Sequence, residues 1–269
     1  MHKLSILIST YKERISAVQD VVKQKHPSLS YIVVHQVETE LFQDEVQQLC
    51  NGRPDIQYIA LNGMGVAKSR NVAIANAFGD YILFMDDDVV LKPNIYQLVL
   101  DAFAKQKNAD VITFQIADVD TGSLLKNYPM CSIIHNKRTI LKIGTIEIAC
   151  KLESLKNSQS YFPEYLGAGT NLPACDEPVF LSRLLDKKLK LESSPHVIGY
   201  HPKLSSGKVF NTEEGLLCRG VAFKQIFGKF GGIPAICYFY LKNRSKFQVK
   251  GKHSFFILLK GYFMPVSKL

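Results

Sequence analysis

The sequence predicts an α/β fold, in which helices flank a mainly parallel sheet and a basic, amphipathic helical extension follows at the carboxyl end. Short runs of β-branched and aromatic residues alternate with helically spaced apolar residues through the first half, as in βαβ units. Basic residues collect near the other end. With 269 residues, 46% hydrophobic and 21% charged, the chain suits one large domain and a tail.

The elements follow one another at regular spacing. Strands are predicted over residues 4–9, 31–35, 56–60, 81–85, 111–116 and 197–200. Helices are predicted around Ile15, Val18 and Val22, over residues 40–49 and 67–78, after Pro93, and from about residue 178 to 187. Pro93 is expected in the first turn of its helix. Such a sheet binds its ligand at the carboxyl ends of the strands.

Charge separates a body, residues 1–220, from an extension, residues 221–269. All nine charged residues after position 220 are basic, which leaves 24 basic and 24 acidic residues before it. In the extension they alternate with apolar clusters at 233–241 and 255–259, a pattern that suits an anionic membrane surface. Neither cluster reaches the ~20 residues of a spanning helix. A merely solubilising basic surface remains the alternative, and no nucleic-acid module accompanies the charge.

Cysteine usage and the amino terminus predict a cytoplasmic protein, peripheral to the inner face of a membrane. The six cysteines are scattered without a Cys-x-x-Cys pair, as expected for reduced and mostly buried thiols. The first apolar run is too short for a signal peptide.

Three consecutive aspartates, Asp86, Asp87 and Asp88, directly follow the apolar run 81–85. Because side chains alternate on an extended chain, Asp86 and Asp88 should point to one side and Asp87 to the other. Two carboxylates can then face one hard divalent cation in an Asp-x-Asp pattern. A turn or a helix cap is the alternative, and three adjacent carboxylates require a counter-charge.

Two small-residue segments offer backbone to a ligand. Gly63 and Gly65 precede the predicted helix that carries Lys68 and Arg70, an arrangement suited to phosphate, although an ordinary helix start looks the same. Residues 166–170, Leu-Gly-Ala-Gly-Thr, could also approach a ligand closely.

The order and spacing of these segments resemble family 2 glycosyltransferases over roughly residues 3–205. The segments are residues 5–11 (Ser-Ile-Leu-Ile-Ser-Thr-Tyr), 65–71, the strand that ends in the aspartates, and a later acidic pair. The resemblance implies a GT-A fold, a nucleoside-diphosphate-sugar donor, Mg²⁺ or Mn²⁺, and inversion at the anomeric carbon. It also implies a glycan or glycolipid acceptor in the synthesis of cell-surface polysaccharide or glycolipid.

The resemblance assigns roles residue by residue. The donor-binding residues that it implies are Thr10, Tyr11, Glu13, Gln36, Lys68, Arg70, Asp86 and Asp87. The implied metal ligands are Asp88, with Asp86 and His201. Gln36 departs from the family, because many members have a base-contacting aspartate after the second strand where this chain reads His35-Gln36.

The catalytic base is expected in Asp176-Glu177. Family members usually show Gly-Glu-Asp here, whereas this chain has Cys-Asp-Glu, so Glu177 occupies the base position and Asp176 is the alternative. Both acids would also complement the amino terminus of the helix that Pro178 is expected to open.

Two rivals to a glycosyltransferase follow from the same residues. Nucleotidyl transfer requires a glycine-rich loop around a triphosphate, and residues 9–14 contain no glycine. A non-catalytic nucleotide-sugar or carbohydrate-binding protein on a degenerate transferase fold remains open, because the acidic pair is altered.

Overall fold

The computed structural model describes residues 2–38, 41–202, 211–249 and 251–265. The chain forms two compact units. The first, here called the sheet unit, comprises Met1–Met64, Ser69–Ser160 and Leu184–Leu204. The second, the helical unit, comprises Gly65–Lys68, Tyr161–Arg183 and Ser205–Leu269.

Eight strands form one mixed sheet in the order β3-β2-β1-β4-β7-β6-β8-β5. They are β1 Leu4–Tyr11, β2 Leu29–Gln36, β3 Ile56–Leu61, β4 Tyr81–Asp86, β5 Val90–Leu91, β6 Val111–Asp118, β7 Ile148–Lys151 and β8 Leu191–His201. Strands β1 to β4 pair in parallel, as do β6 and β8. Strand β7 runs antiparallel to β4 and β6, and β5 antiparallel to β8. The predicted mainly parallel α/β sheet is therefore confirmed.

The helices connect and flank these strands. They are α1 Val18–Val21, α2 Gln43–Cys50, α3 Val66–Asn76, α4 Ile95–Lys105, α5 Leu152–Ser158, α6 Asp176–Asp186, α7 Glu213–Asn243 and α8 Lys252–Phe263, with 3-10 helices at Lys12–Ala17, Thr139–Lys142 and Thr145–Glu147. Apolar residues of α1, α2 and α4 pack with those of β1, β2 and β4 in one core cluster. Strand β1 is buried along nearly its whole length, and most of its residues are apolar, as expected for a central parallel strand; the polar Ser5, Ser9 and Thr10 are buried with them.

Several predicted boundaries differ from the structure. Helix α4 begins at Ile95 after Asn94, whose left-handed backbone (φ 60°) turns the chain into the helix, so the prediction that Pro93 lies in the first turn is wrong. Helix α6 begins at Asp176, so Pro178 is its third residue and not its first. Of the helix predicted over residues 40–49, Glu40 lies outside the described residues.

The helical unit is built on the close packing of α7 and α8. Helix α7 bends at Gly228, whose φ of 72° and ψ of −174° are not helical, and it spans position 220, where the charge pattern changes. A Cβ on Gly220 would lie 2.1 Å from the Leu258 carbonyl oxygen, and one on Gly261 would lie 2.1 Å from that of Leu217. Only glycine at both positions allows the two backbones to approach so closely.

Two further expectations concern the burial of the cysteines and the presence of a membrane-spanning helix. All six cysteines are free, but only Cys150 and Cys218 are buried, so the expectation of mostly buried thiols is wrong. Within the described part of the chain, no helix combines the length and apolar character needed to cross a bilayer.

Candidate functional site

The carboxyl ends of β1, β2 and β4 converge on one edge of the sheet unit. In the strand register Ser9 of β1 faces Asp86 of β4, and Tyr11 of β1 faces Gln36 of β2. Parallel strands that end together bring the residues after them together, so the first-strand segment and the acidic triplet meet as the sequence predicts.

Arg14 supplies the counter-charge for the acidic triplet. Its Nε donates hydrogen bonds of 2.9 and 3.0 Å to the two carboxylate oxygens of Asp87, and its Nη2 donates to Asp87 Oδ1 and to Asp88 Oδ2, the latter at 2.9 Å. The Thr10 hydroxyl donates a further bond of 2.7 Å to Asp87 Oδ2. These hydrogen bonds, above all those to Asp87, raise the pKa of the Arg14 guanidinium. Asp87 is 4% exposed, so this carboxylate ties β1 and its following turn to β4.

Asp86 faces a different cation. The Arg70 Nη2 lies 3.2 Å from Asp86 Oδ1, and the Arg70 side chain is nearly buried whereas that of Asp86 is about one-third exposed. Helix α3 thus holds a buried guanidinium beside the carboxyl end of β4. The three neighbouring aspartates consequently have different surroundings. Only Asp86 lies in β4, whereas Asp87 and Asp88 form a turn after it and share Arg14, so the alternation predicted for an extended chain does not hold beyond Asp86.

Asp88 and His201 form the third pair of the edge. His201 ends β8, and its Nε2 lies 3.1 Å from Asp88 Oδ1. The neighbouring His201 imidazole, followed by the hydrogen-bonded Arg14 guanidinium, lowers the pKa of the Asp88 carboxyl to about 2. The same contact raises the pKa of the His201 imidazole.

The two facing atoms of this pair are suited to a cation. The other ring nitrogen, His201 Nδ1, lies 2.7 Å from the Pro202 carbonyl oxygen and must donate there, because a carbonyl only accepts. A neutral imidazole then directs the Nε2 lone pair at Asp88 Oδ1, a buried atom that no hydrogen bond of regular geometry reaches. A proton or a metal ion between the two atoms satisfies both.

The residues present therefore fit a divalent metal through two protein ligands. Adjacent ligands of an octahedral Mg²⁺ ion stand about 3 Å apart, which suits the 3.1 Å between Asp88 and His201. In the described ranges no group of three or more His, Cys, Asp or Glu side chains is placed to hold a metal. Mg²⁺ commonly takes one or two protein carboxylates and completes its shell with substrate phosphate and water.

His35 shapes the turn that follows β1. Its Nε2 donates to the Lys12 carbonyl oxygen at 2.8 Å, and its Nδ1 accepts from the Tyr58 hydroxyl at 3.0 Å. Burial lowers the pKa of this imidazole. The bonded Lys12 has a φ of 46°, which is costly for a residue with a side chain. His35 thus has a structural role, and the neighbouring Gln36 is 6% exposed beside Tyr11.

The remaining predicted donor-binding residues are Tyr11 and Glu13 in the sheet unit and Lys68 in the helical unit. The half-buried Tyr11 donates its hydroxyl to Met64 Sδ at 3.3 Å. Glu13 is exposed in the 3-10 helix that also carries Arg14. Lys68 belongs to the helical unit.

The helical unit places the acidic pair at the start of α6. Asp176 is buried and Glu177 is half-buried, and both complement the positive end of the helix. The preceding Cys175 has a φ of 74°, a strained backbone of the kind found at functional sites.

The loop at residues 166–170 packs against this acidic pair. Gly167 has a φ of 98°, and a Cβ added there would lie 2.9 Å from the Asp176 carboxylate. The amide of Val66 donates to the Ala168 carbonyl oxygen at 2.9 Å, which joins this loop to the start of α3. The small residues of the loop therefore make room for Asp176.

Arg14 is the residue that sequence reasoning missed. The requirement for a counter-charge beside three aspartates was visible in the sequence. Its source was not, because Arg14 and Asp87 are 73 positions apart and no periodicity links them.

Comparison with known proteins identifies the family to which the chain is similar. The model of "Glycosyl transferase family 2" matches residues 5–154, a stretch that contains the acidic triplet but not Asp176, Glu177 or His201. The poly(ribitol-phosphate) β-N-acetylglucosaminyltransferase TarS of Staphylococcus aureus is 26% identical over 177 residues, which are 62% of this chain and 30% of TarS. An uncharacterized glycosyltransferase of Rickettsia bellii is 30% identical over 109 residues, 39% of this chain and 16% of that protein. The chain thus spans less than a third of the length of either relative.

Solved structures share the fold. The structure of S. aureus TarS 1–349 with UDP-GlcNAc superposes with a TM-score of 0.62 at 18% identity, covering 97% of this chain and 71% of that one. The mannosyltransferase PcManGT of Pyrobaculum calidifontis, in complex with GDP-Man and Mn²⁺, superposes with a TM-score of 0.59 at 15% identity, covering 99% and 78%. These matches confirm the expected GT-A architecture. Since the family model covers more than half of its residues, the chain belongs to glycosyl transferase family 2.

Proposed function

We propose that this chain transfers a sugar, of the hexosyl type, from a nucleoside-diphosphate-sugar to an acceptor hydroxyl with inversion at the anomeric carbon. The observation that carries the proposal is the contact between His201 and Asp88, the last residue of the acidic triplet. The contact lies at the strand ends, where this fold binds ligands. The relatives support it, since TarS is a sugar transferase by name and its structure is known with UDP-GlcNAc.

The proposed donor site lies at the edge formed by β1, β2 and β4. Tyr11, Glu13 and Gln36 would surround the nucleoside, because they follow or end the first two strands. The buried guanidinium of Arg70 would face the diphosphate, with Lys68 assigned to the donor by the family resemblance. The acceptor, a glycan or glycolipid in our proposal, would bind on the opposite side of the sugar.

Asp88 and His201 would hold Mg²⁺ or Mn²⁺, and the bound ion would offset the negative charge that grows on the departing diphosphate. Asp86 would assist from the same side of the chain. Asp87 would orient the group rather than bind the metal, because Thr10 and Arg14 already hydrogen-bond both of its oxygens.

Glu177 would act as the general base. As the acceptor oxygen forms its bond to the anomeric carbon, its proton passes to the carboxylate, while the bond to the diphosphate oxygen breaks on the opposite face. The half-buried Glu177 is more accessible to an acceptor than the buried Asp176, which favours Glu177 as the base and Asp176 as the residue that shapes the loop.

A nucleotide-release assay tests the proposal. The chain would be incubated with Mn²⁺ and a panel of UDP-GlcNAc, UDP-glucose, UDP-galactose and GDP-mannose, with and without lipid and glycan extracts. We expect release from one donor, loss of release in Asp88→Asn and Glu177→Gln, and no change in Asp20→Asn, an exposed aspartate that pairs with Lys23. Tight donor binding without release under every condition would instead support the non-catalytic binding protein.

A further inference from the structure

The second half of α7 exposes an apolar stripe. Phe230 is 89% exposed, Tyr238 67% and Leu241 64%, with Ile233 also exposed. At 100° per residue these four side chains lie within an arc of about 140°. The face opposite them, which includes Ile236, is buried. The second half of α7 therefore has one apolar face packed in the core of the helical unit and a second apolar face exposed to solvent.

Helix α8 exposes a narrower stripe in which lysines alternate with phenylalanines. Lys252, Phe256, Lys260 and Phe263 recur four, four and three positions apart, within an arc of about 80°. Phe256 is 61% exposed and Phe263 65%. The opposite face contributes Ile257, Leu258 and Tyr262 to the core with α7.

The two helices lie antiparallel, which aligns the exposed residues along them. The Tyr262 hydroxyl donates to the Lys229 carbonyl oxygen at one end, and the rings of Tyr240 and Phe255 are 5.2 Å apart at the other. Phe263 is thus near the level of Phe230.

The charge around these stripes has a single sign. Residues 221–269 contain nine basic side chains and no acidic one, and Lys229, Lys242 and Arg244 flank the exposed part of α7. Two of the nine, Lys250 and Lys268, lie outside the described residues. Apolar rings among lysines are typical of helices that lie in a membrane interface, where the rings enter the acyl boundary and the ammonium groups meet phosphate.

We propose that the exposed faces of α7 and α8 bind the surface of a bilayer that contains anionic phospholipid. The helices lie on the membrane and do not cross it, in line with the absence of a spanning helix among the described residues. A second copy of the chain fits this surface poorly, because it would bring two basic surfaces with no acidic partners together. The proposal depends on the helical unit alone and is independent of the transfer reaction.

Vesicle flotation tests the proposal. The whole chain would be mixed with phosphatidylcholine vesicles with or without about 30% phosphatidylglycerol, at low and at high salt. We expect binding only to the anionic vesicles, weakened by salt. The double variant Phe230→Ser, Phe256→Ser should bind the anionic vesicles at least about tenfold more weakly. The double variant Lys229→Gln, Lys260→Gln should lose affinity to a similar extent. Both changes affect exposed side chains, so circular dichroism should show unchanged folding.

The sheet unit offers a matched control for the apolar change. Met130 and Ile134 are 87% and 76% exposed, so Met130→Ser, Ile134→Ser removes similar apolar surface outside the helical unit and should leave vesicle binding unchanged. Absence of binding to anionic vesicles at low salt would overturn the proposal, as would binding that survives the phenylalanine changes. A dimer that the phenylalanine changes convert to a monomer would assign the surface to self-association, and tighter binding to an oligonucleotide than to vesicles would assign it to nucleic acid.

Discussion

Replacing Arg14 by methionine should destabilise the sheet unit by about 2–3 kcal/mol. Among the described residues, the change leaves the buried Asp87 carboxylate with the Thr10 hydroxyl as its remaining side-chain hydrogen-bond donor. It also removes a donor from Asp88. Hydrogen bonds to charged groups contribute about 1.5–3 kcal/mol each, and breaking a fully buried ion pair costs about 3–5 kcal/mol. Since the Arg14 side chain is 51% exposed, solvent screens part of the interaction, and the expected loss of about 2–3 kcal/mol lies below the cost of breaking a fully buried pair.

The assay is urea unfolding followed by circular dichroism, because the chain has no tryptophan for fluorescence. Arg14→Lys should lose about half as much as the methionine variant, since an ammonium keeps the charge but cannot bond both carboxylate oxygens in a fork. Lys23→Met is the matched control: its ion pair with Asp20 is largely exposed on both sides, so the loss should stay under about 0.5 kcal/mol. If Arg14→Met and Lys23→Met destabilise equally, Asp87 does not depend on Arg14 and the reasoning is refuted.

Three further predictions concern other parts of the molecule. Gly261→Ala should cost about 3 kcal/mol in the free energy of unfolding, because its Cβ would overlap the Leu217 carbonyl oxygen, whereas Gly231→Ala meets only one side-chain carbon at 3.1 Å and should cost little. Burial lowers the pKa of His135 to about 4, so the unfolded chain binds its proton first, and about 3 kcal/mol of stability should be lost as pH falls from about 6.5 to 4. His135→Gln should flatten this pH dependence of urea unfolding. His201→Gln should weaken Mn²⁺ binding, measured by electron paramagnetic resonance, by about tenfold or more.

The central strands could be predicted from the sequence because burial on both faces leaves a continuous apolar run. Strand β4 is buried between its terminal residues, and its apolar run 81–85 predicts the strand for that reason. Strand β5 has two residues and β7 has four, too few to show a period. They form because β8 and β4 offer them backbone partners, and that information is not local.

The candidate site could be predicted only in part, for a related reason. Consecutive residues such as Asp86, Asp87 and Asp88 are visible in the sequence as a cluster, but the prediction of an extended chain through all three is wrong, because Asp87 and Asp88 form a turn after β4. The pairing of the cluster with Arg14 arises from the register of β1 against β4. The structural role of His35 arises similarly, from its bond to the backbone of Lys12 in another segment.

The three adjacent aspartates have different charged partners, and for this reason we do not propose all three as metal ligands. Asp87 is bound to Arg14, and Asp86 faces Arg70, so two carboxylates are balanced by two guanidinium groups. Asp88 remains as the negative charge of the edge, shared between Arg14 and His201. In our proposal, Arg70 and a divalent cation held by Asp88 would together attract the anionic diphosphate, because the Arg14 charge is already engaged by Asp87 and Asp88. We therefore expect the affinity of the proposed donor to depend on the metal, and Arg14, which need not touch the donor, to influence that dependence through Asp87 and Asp88.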